Sequence, residues 1–318
     1  MTSTSSLSSA QPGTATGTPP PRRAPRRRAR RREGLTALGM VSPAVVLLLL
    51  FFVIPVVLAF ALAFTNARLV SPTPAQFTGL QNFRTLLDDP LFFTSLRNTF
   101  YFAAVVVPVQ GGLALVLALL VNAKVKGVNF FRTIYFVPVV TSMVVVSILW
   151  AFLYQRTGLV NQLISQLTFG HVQGPDWLND PSTAMPAVIF MSVWQGVGFH
   201  MIIWLAGLQT IPRDLYEAAD IDGATRWARF RYVTWPGLRT TRTFVLITIT
   251  IAAFSLFAQI SVMTQGGPLD STTTVVYQAV QTGYAQQETG YASAISLVFF
   301  VLVLAVSLVQ RFLTREKD

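Results

Sequence analysis

The sequence predicts an all-α polytopic membrane protein with six transmembrane helices, and three observations carry that prediction. First, the 318-residue chain is 52% hydrophobic and only 12% charged, with a mean hydropathy of +0.53. Soluble domains carry about 25% charged residues, so a soluble enzyme is excluded by its lack of polar surface. Second, six stretches contain no Asp, Glu, Lys or Arg: Leu35–Ala67, Asn98–Ala123, Thr133–Gln155, Ala184–Pro212, Thr243–Leu269 and Thr289–Gln310. Each exceeds the roughly 20 residues that cross a bilayer core as a helix. Third, these stretches are continuously apolar rather than alternating. Backbone groups in lipid are satisfied only in helices or closed barrels, and a continuous run selects the helix. Six helices buried in a soluble core would need an amphipathic shell, which the remaining segments do not supply.

The first 33 residues stand apart. Met1 to Pro21 is rich in Ser, Thr, Gly and Pro and reads as disordered. Arg22, Arg23, Arg26, Arg27, Arg28, Arg30, Arg31 and Arg32 follow, so the tail nets +7 of the chain's +11. Residues 34–318 form the membrane domain, with spans at about 35–64, 98–123, 133–155, 184–210, 243–265 and 289–310 and a loop at 211–242. Ala61-Leu62-Ala63 resembles a signal-peptidase site, but the preceding run is far longer than the core of about 7–15 residues of a signal peptide. It reads as an uncleaved first span.

Charge sets the orientation. With the tail inside, the inside segments (tail, 124–132, 213–242, 311–318) hold 20 Lys and Arg, and the outside segments (68–97, 156–183, 270–288) hold 4. Positive charge collects on the cytoplasmic side, so both termini are expected there. The arginine tail then fixes topology and touches anionic lipid. Set directly against a span, it gives no reason to invoke nucleic acid.

Reactive chemistry is sparse. No Gly precedes a Lys, so the phosphate-cradling loop ending Gly-Lys-Ser/Thr is missing. There is no cysteine, no Gly-x-Ser-x-Gly turn, and His171 and His200 are 29 residues apart, without zinc-site spacing. No catalytic residue, metal site or bound cofactor is expected. The spans hold no Asp, Glu, Lys or Arg, whereas ion-coupled carriers usually place such groups in the membrane. His200, near Trp204, reads as a hydrogen-bonded packing residue. A secondary solute carrier remains the alternative reading. A membrane-embedded enzyme lacks any nucleophile or acid–base cluster.

The longest inside loop is the most informative segment. Pro212 suits a first helical position, while Asp214 and Glu217 suit the positive end of a helix. Ala218 and Ala219 leave a smooth surface for close packing, and Gly223 can end the helix. A second short helix is expected from Thr225 to about Val233, stopping before Pro236. The acidic residues Asp214, Glu217, Asp220 and Asp222 argue for a protein partner rather than anionic lipid.

Glu217-Ala218-Ala219, then Gly223, Val233 and Trp235-Pro236, resembles the EAA loop of ABC importer permeases. Val233 and Trp235-Pro236 stand where the family has Ile and Leu-Pro. Further stretches resemble carbohydrate importers: Phe77-Thr-Gly-Leu-Gln-Asn-Phe83 with Asp89-Pro90 and Leu96-Arg-Asn98, Phe130-Phe-Arg-Thr133 with Val137-Pro138, and Trp194-Gln-Gly-Val-Gly-Phe199. So do Leu205-Ala-Gly-Leu-Gln-Thr-Ile-Pro212, Met263-Thr-Gln-Gly-Gly-Pro268 and Gly290-Tyr-Ala-Ser-Ala294. The resemblance runs from about Leu35 to Arg311. It is to the first of the two membrane subunits in maltose and glycerol-phosphate importers, without the large periplasmic insert of the maltose subunit.

That resemblance implies a type I ABC importer permease in the bacterial plasma (inner) membrane. It implies a heterodimer with a second permease, a cytoplasmic ABC ATPase dimer holding ATP-Mg, and an extracytoplasmic solute-binding protein. The coupling helix would run from about Asp214 to Thr225, with Asp214, Glu217, Ala218, Ala219, Asp222, Gly223 and Ala224 at the ATPase. A sugar path needs uncharged polar and aromatic groups on one side of a span. Trp194, Gln195 and Phe199 in span four fit, as do Ser255 and Gln259, four apart in span five. The same polar groups could instead hold helices together. Without cations in the spans, a neutral mono- or oligosaccharide is favoured over a phosphorylated solute.

Overall fold

The computed structural model describes residues 39–122 and 128–314. The tail of residues 1–33, the start of the 124–132 loop and residues 315–318 lie outside the described residues. The chain divides into two units, Met1–Val56 and Val57–Asp318. Among the described residues the structure is helical, with one isolated antiparallel bridge between Thr65 and Phe77.

Span one is α1, Gly39–Leu62. A π-helical turn at Leu49–Val53 lies just before Pro55, and the Ile54 N–H reaches back five residues to the Leu49 carbonyl. Proline lacks an N–H and its ring crowds the carbonyl four residues back, so a wider turn ahead of it relieves that crowding.

In the second unit, α2 (Gln81–Leu87) precedes α3 (Pro90–Asn122), which is span two. It starts two turns earlier than expected because Arg97 interrupts the uncharged window without interrupting the helix. Pro90 takes the first position, and the Asp89 carboxylate accepts the Leu91 N–H at 2.9 Å as a cap. Phe102, Val106, Gln110, Ala114 and Ala118 are buried at a spacing of four, so one face of α3 is spent on packing. Its opposite face keeps Leu113, Val116 and Leu120 exposed for lipid.

Span three differs from the continuous helix the sequence suggests. It is broken into α4 (Val128–Val140) and α5 (Met143–Leu153), with Thr133–Val140 and Met143–Leu153 bent by 107°. The described residues therefore contain five long spans, or six when this broken pair is counted as one. Pro138 removes a backbone donor just before the break. The Gln195 amide on span four donates to the Pro138 carbonyl at 3.5 Å, and Thr141 Oγ1 donates to the Val137 carbonyl at 3.2 Å. Polar groups thus replace the lost helix bonds.

A short helix, α6 (Leu159–Leu167), leads to span four, α7 (Ala184–Gln209). Span four is the centre of the core, with sixteen buried residues. It presses against α4 at Gly198, where an added Cβ would collide with the Tyr135 carbonyl. Small residues at such crossings let backbones approach in lipid. Against α3, Trp204 Nε1 donates to the Gly111 carbonyl at 3.2 Å.

The cytoplasmic segment holds α8 (Arg213–Ile221), α9 (Arg226–Arg229), a π-helical turn (Phe230–Thr234) and α10 (Trp235–Gly237). The second helix was expected to stop before Pro236, but the chain stays helical through it. The Trp235 N–H bonds the Phe230 carbonyl five residues back, the same wide turn ahead of a proline as in span one.

Span five is α11 (Arg239–Phe254) followed, after a break, by α12 (Ala258–Met263). Ser255 Oγ turns back onto the Ile251 carbonyl at 2.9 Å, and Thr274 Oγ1 takes the freed Leu256 carbonyl at 2.9 Å. Then come α13 (Val275–Val280), a π turn (Gln281–Ala285) and α14 (Thr289–Thr314), span six. At the end assigned to the outside, Asp89 Oδ2 accepts from Tyr291 Oη at 2.7 Å and from Gln278 Nε2 at 2.9 Å. Ser95 Oγ donates to Gln278 Oε1 at 2.8 Å. This clip ties the start of span two to α13 and to the start of span six.

Candidate coupling surface and membrane cavity

The cytoplasmic surface is built on α8. Asp214 occupies the first turn, where a negative charge meets the positive end of the helix. The helix ends in a Schellman motif. Gly223 adopts φ +71°, its N–H bonds the Asp220 carbonyl at 3.1 Å, and the Ala224 N–H bonds the Ala219 carbonyl at 2.9 Å. The helix therefore closes at Ile221, four residues earlier than Thr225.

Two side-chain contacts fix the helix against the rest of the segment. Tyr216 Oη is 3.0 Å from Thr234 Oγ1, and Arg229 Nη1 is 2.6 Å from Asp220 Oδ1. The first reaches the π turn and the second reaches α9. Asp214, Glu217, Ala218 and Ile221 are exposed at i, i+3, i+4 and i+7, so they form one free face. Ala219 departs from the expectation. It is buried against its own chain, because residues 218 and 219 lie 100° apart on a helix. Only Ala218 of the pair is open to a partner. Asp222 and Gly223 are exposed just past the helix end, and Ala224 is half-buried.

Within the membrane, a cavity of about 250 Å³ lies between α3, α4, α5, α7 and span five. Gln195, Phe199 and Gln259 meet there, joined by Gln110, Ser192 and His200. No lining residue is charged. His200 is buried, with Nδ1 2.9 Å from Gln110 Nε2 and 3.0 Å from the Gly196 carbonyl. His200 thus links spans two and four by a hydrogen bond, as a packing residue would, and also lines the cavity. Ser192 is only 7% exposed, yet its hydroxyl has no hydrogen-bond partner among the described residues. A buried hydroxyl left open costs about 1–3 kcal/mol, so a group that satisfied it would bind favourably.

Two sequence-predicted residues stand elsewhere. Trp194 packs edge-to-face on Trp150, with ring centroids 5.4 Å apart, and borders an apolar groove between spans two and four. Ser255 opens onto a separate groove of about 560 Å³ beside span six. Ser255 and Gln259 share a face only on an unbroken helix, and the break after Phe254 turns them apart. Gln110 and Ser192 were not singled out from sequence. For Gln110 the available signal was a polar side chain in an otherwise apolar run; Ser192 could also be found from its place three residues before Gln195 on the same helix.

The comparisons with known proteins agree with this architecture. Residues 110–317 match the family described as binding-protein-dependent transport system inner membrane component. The chain is 36% identical over 282 residues to the lactose transport system permease protein LacF of Rhizobium radiobacter, covering 87% of this chain and 93% of that one. It is 35% identical over 287 residues to the sulfoquinovosyl glycerol transport system permease protein SmoG of Agrobacterium fabrum, covering 90% and 92%. In fold it resembles a chain of a bacterial alginate ABC transporter solved in complex with an alginate pentasaccharide-bound periplasmic protein. The TM-score is 0.79 at 23% identity, covering 91% of this chain and 96% of that one. The chain belongs to the binding-protein-dependent transport system inner-membrane components, and is a multi-pass permease subunit of an ABC importer.

Proposed function

We propose that this permease imports a neutral sugar, passing it through the cavity of Gln110, Ser192, Gln195, Phe199 and Gln259. The observation that carries the reading is an uncharged cavity, rimmed by amides and an aromatic ring, that holds an open hydroxyl at Ser192. Sugars are recognised by hydrogen bonds to their hydroxyls and by contact with aromatic faces. The relatives named above, for lactose and sulfoquinovosyl glycerol, support a sugar-like solute. Ser255, on the groove beside span six, would face the path only once a second permease covers that groove. Trp194, packed on Trp150 outside the cavity lining, would support the fold of spans three and four rather than touch the solute.

Coupling runs through the free face of α8. Asp214, Glu217 and Ala218 contact one subunit of an ATPase dimer, and Asp222, Gly223 and Ala224 shape the end of that contact. ATP-Mg is held and hydrolysed on the ATPase, and this chain binds no cofactor. A second, different permease completes the path, and a solute-binding protein delivers the sugar from outside. Ligand binding elsewhere in the complex biases a two-state permease through this surface.

The test is the purified complex reconstituted in liposomes with its binding protein. ATP-dependent uptake of a neutral sugar is expected, with Glu217→Lys lowering uptake and ATPase co-purification while membrane insertion stays normal. Normal uptake and co-purification in that variant would sink the coupling assignment. Transport by the chain alone on an ion gradient would replace the whole reading with a secondary carrier.

A further inference from the structure

We propose that α6, the nine-residue helix on the outer side between spans three and four, is an anchor lying in the outer lipid interface. Its sequence, Leu-Val-Asn-Gln-Leu-Ile-Ser-Gln-Leu, has no charged residue. Leu159, Leu163 and Leu167 are all exposed and recur every four residues, so they form one apolar stripe. Gln162 and Gln166, also exposed, lie beside the stripe, while Asn161 faces the protein.

The depth of α6 is set by a chain of contacts from Asn161. Its Oδ1 accepts from Trp177 Nε1 at 2.7 Å, and its Nδ2 donates to the carbonyls of Arg156 and Pro175. The Trp177 ring lies 5.7 Å from the Tyr154 ring, and Tyr154 Oη donates to the Ala187 carbonyl at 3.1 Å. Ala187 is in the first turn of span four, and Tyr154 directly follows the last residue of α5. The helix is therefore held level with the outer ends of two spans, where lipid headgroups begin.

Lipid is the occupant the surroundings favour. The stripe begins six residues after Leu153, the end of α5, which itself exposes the apolar residues Val145, Leu149 and Phe152. Just beyond α6, Phe169 is 91% exposed at φ +52°. Leu and Phe make up the apolar side of interfacial helices, which sinks into the headgroup boundary while the polar side, here Gln162 and Gln166, stays in water. Arg156 and Asp176, 3.7 Å apart, stay at the flank of the helix rather than on the stripe.

The chain contains no cysteine, so single probes can be placed without removing native ones. In the assembled transporter in nanodiscs, Leu163→Cys, Leu167→Cys, Gln162→Cys and Gln166→Cys would each carry a polarity-sensitive fluorophore. Phosphatidylcholine with dibrominated acyl chains serves as the quencher. Probes at 163 and 167 are expected to be blue-shifted and quenched at least about threefold more than those at 162 and 166. Equal quenching on both sides would overturn the proposal. So would probes at 163 and 167 that are shielded from aqueous iodide yet untouched by the brominated lipid, because a protein would then be covering the stripe.

Discussion

Tyr216 and Thr234 hold their hydroxyls 3.0 Å apart, joining the cytoplasmic helix α8 to the π turn that leads into span five. In the proposed coupling, movement of α8 would reach a membrane helix through this half-buried contact and the Asp220–Arg229 ion pair. A neutral hydrogen bond contributes about 0.5–1.5 kcal/mol, and the exposed Asp220–Arg229 pair about 0.2–1 kcal/mol. Tyr216→Phe is expected to insert and assemble normally but to lower uptake per ATP hydrolysed. Measuring both rates in one liposome preparation checks this, and an unchanged ratio would remove the contact from the coupling route.

Gly223 closes α8 with φ +71°. A side chain there is strained by roughly 1–2 kcal/mol, although no atom lies within 4 Å of the added Cβ. Gly223→Val should therefore weaken ATPase association through a misdirected helix end, and Gly223→Asn should restore most of it, since Asn tolerates this conformation. Co-purification yields compare the two. Equal loss in both would point to a contact made by the glycine surface itself.

Ser192 leaves a hydroxyl open in the membrane cavity. Ser192→Ala should be neutral or slightly stabilising for the empty transporter, because it removes an unsatisfied group. It should raise the sugar concentration for half-maximal ATPase stimulation several-fold. Gln259→Leu, which removes another amide without a partner among the described residues, should act in the same direction. A thermal melt in detergent and a stimulation curve separate the two effects, and an unchanged curve in both variants would move the sugar elsewhere.

Asp89 accepts three hydrogen bonds, from Leu91, Gln278 and Tyr291. Bonds to a charged group are worth about 1.5–3 kcal/mol each. Asp89→Ala should lower thermal stability and release the outer end of span two from α13, seen as faster amide exchange around 275–280. Tyr291→Phe removes one of the three bonds and should produce a smaller shift in the same direction.

The six membrane segments were legible because lipid demands long uncharged apolar runs, and Thr133–Gln155 and Ala184–Pro212 satisfy that with nothing else required. The breaks were not legible. Pro108 lies inside an unbroken α3 while Pro138 precedes a 107° bend, so proline alone does not decide. What differs is the distant partner: Gln195 takes the Pro138 carbonyl, and Thr274 takes the Leu256 carbonyl at the other break. Such pairs, 57 and 18 residues apart, have no local pattern. The same gap explains the cavity. Ser192, Gln195 and Phe199 share a face of span four and could be grouped from spacing, but Gln110 joins them only through the packing of spans two and four. In the cytoplasmic loop, by contrast, Gly223 and Asp214 follow local helix chemistry and could be placed from sequence.

The contact between Gln110 and His200 has one further consequence. His200 Nδ1 faces both an amide nitrogen and a carbonyl, and one ring nitrogen cannot accept from the first while donating to the second. The imidazole tautomer is therefore tied to the orientation of the amide on span two. Since the chain has only two histidines and His171 lies in an exposed outer loop, isotope labelling of the histidine ring nitrogens in this chain would give one pair of signals per residue. The His200 pair would report, without any introduced probe, whether spans two and four keep their register through the transport cycle.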